Sequence, residues 1–432
     1  MNCLPTLPIR VSNVACLLAI CWLAACTAPA EESRGGPAAA NGLEYDSAYR
    51  VSLDAGAGLA FVTLDVSQPR HLLREMRFEL PHSAAIDGDG PISRDDSQIS
   101  WIVPEGGGTL SWSVPIANER TDGVFDAWLG PDWGIFRAED IIPRARTRTL
   151  KGAFSNTTLD FDLPDEWSVV TEYPSRDGRL LVERDGRRFD QPAGWIVTGD
   201  LGVRRERIAG VSVVVAAPVG QRVRRMDMLA MMNWVLPEMA RLLPALPARI
   251  TVVSAGEPMW RGGLSAPQSL FIHADRPLIS ENGTSTLVHE LLHLSLNLSA
   301  AEGHDWIIEG LAEFYTLELL KRSGTITSRR YERAMVALEE WGRESDALCG
   351  ANSTGATTAR AVALFHALDL ELRQRHADRP GLDDVVFRLV EDGQEVDLRV
   401  LTDTVLNLFG GIPELIDSER LPGCRTLATA RH

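Results

Sequence analysis

Lysine is nearly missing from this chain: of 43 basic side chains in 432 residues, only Lys151 and Lys321 are lysine. Arginine and lysine together are outnumbered by 59 acidic residues, for a formal net charge of −16. Without a basic excess no broad face can neutralise a phosphate backbone, which excludes nucleic acid as a partner. The preference for arginine reads as GC-rich coding and carries no functional information. Long apolar runs are few as well. The longest, Val11 to Ala25 (VSNVACLLAICWLAA), falls short of the ~20 residues a helix needs to cross a bilayer. Cysteine is sparse, six in all, and Cys3, Cys16, Cys21 and Cys26 crowd the first stretch of the chain. No internal repeat is visible. With 45 % hydrophobic and 24 % charged residues the composition is globular, and the length suffices for two domains of ordinary size.

The apolar run follows a single positive charge, Arg10, and gives way to polar Thr27-Ala28-Pro29, the layout of a cleaved leader. Its end, Leu23-Ala24-Ala25-Cys26, resembles the bacterial lipoprotein signal. That resemblance implies a signal peptide over residues 1–25, lipid on Cys26, and a mature protein anchored in the bacterial cell envelope. Thr27, where an aspartate would favour inner-membrane retention, implies the outer membrane, facing the periplasm. An ordinary secretory leader containing cysteines is the alternative. Residues 26–43 (rich in Ala, Pro, Gly, Glu and Ser) then form a flexible tether. Cys349 and Cys424 remain, an even pair in an oxidising compartment and a candidate disulfide.

The remainder divides into a β-rich half, residues 44–220, and a helical half, residues 221–432, an α+β chain. Short alternating runs such as FVTLDV from Phe61, MRFEL from Met76 and LSWSV from Leu110 are separated by Gly, Pro and Asp. They predict an antiparallel β-sandwich-like domain. VSVVVAA from Val211 is read as its last strand, and after Arg222 the period becomes helical. Strands are expected over Ala248 to Ala255 and Ser269 to Ala274, and helices from about Thr284, Asp305, Ser328, Thr357, Leu382 and Leu398. Asp305 is expected to cap its helix and Gly324 to stop it.

Several features are weighed and set aside. Trp101, Trp112, Trp128, Trp133, Trp167 and Trp195 suit a sandwich core better than a sugar platform. Asp87 to Gly90 with Asp95 and Asp96 lacks the spacing of a calcium loop and reads as a turn. Met226, Met228, Met231, Met232 and Met239 read as core filling along one helix.

The chemistry concentrates between His289 and Glu313. LVHELLHL places His289 and His293 at i and i+4, on one helical face, so both imidazoles can reach one metal. Glu290 stands beside the first histidine, where a carboxylate can act on a metal-activated water. A catalytic zinc needs a third protein ligand and an open fourth position. The next helix, DWIIEGLAEFY, offers Glu309 and Glu313 one turn apart, one to bind metal and the other to orient a histidine.

HELLH followed by WIIEGLAEFY resembles the gluzincin metallopeptidases, the thermolysin-like clan, and within it the aminopeptidase N and glycyl aminopeptidase families. The resemblance implies a mainly helical thermolysin-like zinc peptidase domain, with the glutamate before the glycine as third ligand. On that match Glu309 binds Zn²⁺ with His289 and His293, and Glu313 supports. The interval from His293 to Glu309 is shorter than in aminopeptidase N, so the connecting loop is trimmed. Arg261-Gly-Gly-Leu264 resembles the family's Gly-Gly-Leu segment, and the stretch from Thr358 to Arg373 resembles its Y-x-[KR]-G helix. Two positions depart. The glutamate that can engage a substrate amino terminus is Ser265, and the tyrosine that steadies the oxyanion is Thr358, with Ala361 at the following glycine. Tyr331 is the expected substitute donor, ahead of His304 and His366.

These readings converge on a zinc peptidase of the cell envelope with a peptide or protein substrate lying along an edge strand near Ser269 to Ala274. Glu290 is its general base. The alternative is a catalytically impaired zinc-containing lipoprotein that binds or scaffolds, motivated by Ser265 and Thr358. A third reading makes HELLH a coincidence in a structural helix. Exo- versus endopeptidase action and oligomeric state stay open.

Overall fold

In the first strand, Glu44–Asp54, every second residue turns inward: Tyr45, Ser47, Tyr49 and Val51 are buried while Asp46 and Arg50 face water. Its antiparallel partner Leu59–Ser67 repeats the pattern with Ala60, Val62, Leu64 and Val66. This period of two builds a seven-stranded sheet that shares its core with a four-stranded sheet containing Leu73–Glu79 and Gln98–Ile102. Within this sheet one pairing among the described residues is not antiparallel: Glu44–Asp54 also runs parallel to Phe154–Asp162, which becomes possible because the chain passes through the second sheet before returning. The computed structural model describes residues 42–182, 189–350, 352–376, 381–417, 421 and 423–424. The leader, Cys26 and the tether as far as residue 41 lie outside the described residues. Among those residues no helix is long and apolar enough to cross a membrane.

Trp101 and Trp112 are buried in this core, and Trp133 and Trp195 are buried in a separate cluster. Asp87 and Gly88, expected in a turn, close the short strand Ile86–Gly88, and Asp89 in the bend after it accepts the Thr109 N–H at 2.9 Å, so the sheet itself holds this segment.

Val211–Pro218 belongs elsewhere than its sequence neighbourhood suggests. It pairs parallel with Arg249–Ala255, giving a five-stranded sheet in the order Leu201–Ile208, Val211–Pro218, Arg249–Ala255, Ser269–His273, Gly263–Ala266. A boundary at residue 220 would cut this sheet; the sheet's first strand begins at Leu201. The sequence hides this because the strand is buried on both faces and reads as a continuous apolar run. Val213, Val215, Ile250, Val252, Leu270 and Ile272 point into the helical core. Ala216, Val253, Ala255 and Phe271 point the other way, against Trp133, Trp195 and Val197 of the β half. Trp195 clamps the junction: its Nε1 donates to the Leu264 carbonyl at 2.9 Å and its backbone N–H to Ser269 Oγ at 2.8 Å.

Helices Arg225–Leu242, Thr286–Leu296, Asp305–Arg322, Ser328–Gly342, Ala356–Arg375, Leu382–Asp392 and Leu398–Phe409 cover the sheet's far side. Met228, Met231, Met232 and Met239 are buried along the first of these, whereas Met226 is 58 % exposed. The Asp305–Arg322 helix is buried over most of its length and packs tightly on Ala356–Arg375. A Cβ at Gly310 would meet Ala361 Cβ at 2.5 Å and the Phe365 ring at 2.9 Å, so the glycine beside Glu309 sets how closely the two helices approach. Cys349 and Cys424, 75 positions apart in sequence, form a disulfide with Cα atoms 5.0 Å apart.

Candidate metal centre

Ser285 caps the Thr286–Leu296 helix by accepting the Val288 N–H, and Leu287, Val288, Leu291, Leu292 and Leu296 bury its inner face. Burial of that face fixes the opposite one, which carries His289 and His293 a turn apart. Their Nε2 atoms lie 2.9 Å from each other. Glu309 reaches across from the Asp305–Arg322 helix, placing Oε2 3.4 Å from His289 Nε2 and Oε1 3.3 Å from His293 Nε2. Among the described residues this is the one cluster of three potential ligands that meets around a point.

The donor set fits zinc. Ligand atoms ~2.0–2.1 Å from a tetrahedral ion stand roughly 3.3 Å from one another, and two histidines with one glutamate leave a fourth position open. Glu313, one turn beyond Glu309, takes the other side of the first histidine: its Oε2 lies 3.0 Å from His289 Nδ1. Donation from Nδ1–H fixes the tautomer and leaves the Nε2 lone pair facing Glu309 and His293. Without an ion between them these groups share protons. Burial opposes charge on His289, but its bonds to Glu309 and Glu313 outweigh burial and hold its pKa up to about 10. For Glu309, burial is outweighed by the same histidines, which hold it down to about 2.

Glu290 is 8 % exposed and faces the Gly263–Ala266 strand. A Cβ at Gly263 would come 2.8 Å from Glu290 Cγ and 2.6 Å from Thr286 Cγ2, so only glycine lets the strand lie against this helix. Burial pushes the Glu290 carboxyl up, against the lowering influence of His289, His293 and a hydrogen bond from the Ser265 hydroxyl. Ser265, read as a missing amine anchor, is thus a partner of Glu290.

The other expected residues scatter. Tyr331 gives its hydroxyl to Glu318, and Lys321 Nζ lies 4.0 Å over its ring. Glu318 is nine residues past Glu309, about 13 Å along the helix, so Tyr331 is no donor to this centre. His366 packs beside Tyr331, and His304 Nδ1 lies 3.1 Å from the Glu302 carbonyl. Thr358 does border the centre, on the wall of a cavity it shares with Glu309 and Glu313. Asp305 is the first helical residue after the cap His304, and its Oδ2 accepts the Ser353 N–H at 2.9 Å. The strand expected to take substrate, Ser269–His273, is flanked on both sides; the sheet edge is Gly263–Ala266. Since His273 N–H bonds to the Gly262 carbonyl, alternation turns the backbone groups of Gly263 and Ser265 outward. Sequence reasoning missed Ser353 and Trp341, which border the same cavity and carry no motif.

No family model matches the chain, and no curated protein matches it in sequence. Solved structures match in fold. An aminopeptidase N family protein from Idiomarina loihiensis superposes with a TM-score of 0.63 at 16 % identity, over 85 % of this chain and 73 % of that one. A variant of the M1 zinc metallopeptidase from Deinococcus radiodurans gives 0.56 at 14 % identity, over 88 % and 95 %. Yeast LTA4 hydrolase in complex with bestatin gives 0.54 at 13 % identity, over 88 % and 68 %. The chain shares the fold of these proteins: mixed sheets at the N-terminal side, a helical region beyond.

Proposed function

We propose that the protein is a zinc-dependent peptidase. The observation that carries this reading is the convergence of His289 Nε2, His293 Nε2 and a Glu309 oxygen, with the buried Glu290 carboxylate on the same helix. A fold shared with proteins named as zinc metallopeptidases supports it. A zinc ion held by these three residues would supply Lewis-acid polarisation of the scissile carbonyl and a water of lowered pKa.

The rest is done by the chain. A peptide pairs with the outward backbone groups of Gly263 and Ser265 as an added antiparallel strand, which presents its carbonyl beside Glu290. Glu290 removes one proton from the attacking water, and Ser265 holds its carboxylate in place. As the C–N bond breaks, Glu290 passes that proton to the departing amine, which leaves neutral while the other fragment keeps the new carboxyl. Glu313 keeps His289 oriented throughout. The leader and Cys26 support a lipid-anchored enzyme of the bacterial cell envelope, on the periplasmic face of the outer membrane, acting on peptides or proteins there.

The test is zinc content and peptide turnover of the full chain beside Glu290→Gln. Turnover lost with zinc retained supports the reading. No zinc in the parent chain after incubation with excess metal would falsify it. One observation favours a second reading. The Tyr331 hydroxyl is engaged by Glu318, and Thr358 offers a shorter side chain at the position where the resemblance places a tyrosine. A zinc-binding protein without turnover would therefore bind peptides and retain zinc, yet leave a peptide library intact.

A further inference from the structure

Beside the metal ligands lies a cavity of about 280 Å³ whose walls come from three helices and one loop. Glu309 and Glu313 form one wall, Leu338 and Trp341 a second, and Ser353, Thr354 and Thr358 bring three hydroxyls to the third. Thr358 holds the position where the resemblance places a tyrosine, so its small side chain keeps the space open.

The cavity is preformed. Its loop wall is tied down by the Cys349–Cys424 disulfide, by Gly350 N–H to the Gly303 carbonyl at 3.2 Å, and by Ser353 N–H to Asp305 Oδ2 at 2.9 Å. Asp305 starts the helix that carries Glu309, so wall and ligand are tied to one element. Ser353 Oγ and Thr358 Oγ1 bond to each other at 3.0 Å, holding both hydroxyls in place. Trp341 is 47 % exposed, a large indole face offered to whatever enters.

The wall chemistry restricts the occupant. No lysine or arginine lines the cavity, so an acidic side chain would lose its water there and find no counter-charge. The two wall carboxylates are already engaged, Glu309 with both histidines and Glu313 with His289 Nδ1, and so give a cation no free anchor. An apolar wall opposite fixed hydroxyls suits an uncharged aromatic side chain with a polar tip. We infer that this cavity is the subsite for a substrate side chain adjoining the scissile bond, selective for tyrosine and phenylalanine and closed to aspartate and glutamate. The inference rests on the zinc-peptidase reading.

Amino-acid hydroxamates test it, because they seek the metal and need no turnover. Alanine, phenylalanine, tyrosine and glutamate hydroxamates are titrated into the zinc-loaded full chain, beside Trp341→Ala and Thr358→Phe, with zinc content measured in each. The tyrosine and phenylalanine compounds should bind on the order of 10-fold tighter than alanine, and glutamate weaker than alanine. Trp341→Ala, at an exposed position, should bring the aromatic-to-alanine ratio towards one, and Thr358→Phe should do so by filling the space. Equal affinity for alanine and the aromatics, or a ratio unchanged in both variants, overturns the inference even if peptides are cleaved. Aromatic preference without cleavage of any peptide leaves the subsite standing and removes the peptidase reading. No hydroxamate binding by a zinc-loaded chain overturns both.

Discussion

Glu313 Oε2 lies 3.0 Å from Nδ1 of His289, on the side of the ring away from Glu309. That bond makes Glu313 a positioning residue, and it separates two carboxylates that sit one turn apart with similar exposure. Removing an orienting partner of this kind typically lowers metal affinity ~10–100-fold. Glu313→Ala should therefore weaken zinc binding by about that factor, and Glu313→Gln, whose amide oxygen still accepts from Nδ1–H, should recover most of it. Glu309→Ala should lose zinc far more severely. Chelator competition measures all three, and a Glu309→Ala chain that binds zinc as well as Glu313→Ala would reverse the assignment.

The proton held on His289 gives the metal-free chain a distinct pH response. Its pKa is raised from 6.5 to about 10, so its contribution to stability is complete below the lower value and is lost as pH climbs through the upper one. Glu309 is lowered from 4.5 to about 2, so its contribution is present above 4.5 and disappears as pH falls towards 2. Metal-free protein should melt highest between these two windows and lose thermal stability from neutral pH towards pH ~10. His289→Asn should flatten the alkaline limb. Zinc displaces the same proton, so calorimetry at pH ~8 in buffers of different ionisation enthalpy should show about one proton released per ion. Release of none would contradict the proton's place on this histidine.

Tyr331 supplies a negative test. Its hydroxyl belongs to Glu318, beside the Arg322 and Asp383 pair, in which the two terminal guanidinium nitrogens donate to the carboxylate at 2.8 and 2.9 Å. Tyr331→Phe should cost about 1 kcal/mol of stability, the worth of one buried hydrogen bond. Its kcat should stay within about twofold of the parent, whereas losing an oxyanion donor costs ~10²–10³. A collapse of kcat with an unchanged melting temperature would put Tyr331 back at the centre.

Tyr331 also shows where linear reading stops. Helices expected from about Thr284, Asp305, Ser328, Thr357, Leu382 and Leu398 begin at Thr286, Asp305, Ser328, Ala356, Leu382 and Leu398. Local chemistry writes these starts: Ser285, Thr327 and Asp397 each accept a backbone N–H three residues on. The convergence of His289, His293 and Glu309 follows from two helical spacings and one motif. Which face of a third helix meets the centre follows from packing, and Tyr331 falls on the face turned to Glu318. Val211–Pro218 misleads for a related reason, since a strand buried on both sides carries no alternation to mark its sheet. Ser353 is tied to Asp305 across 48 residues by a backbone bond, a relation that no spacing encodes.

The disulfide joins stability to the site. Cys349 sits in the loop that ends at Ser353 and Thr354, and its partner Cys424 lies close to the end of the described chain. Closing a loop of 75 residues restricts the unfolded chain by about 2–5 kcal/mol on the chain-entropy account. Cys349→Ala with Cys424→Ala should lower the denaturation midpoint accordingly. Because the loop is also pinned by Gly350 and Ser353, zinc affinity should hold within about threefold, since all three ligands lie on helices outside the closed loop. What should change is the loop wall of the Trp341 cavity, freed to open. Hydrogen exchange separates the two: faster exchange at residues 345–355 with the Asp305–Arg322 helix still protected is the expected pattern. Equal acceleration in both would mean that the disulfide holds the metal helix itself.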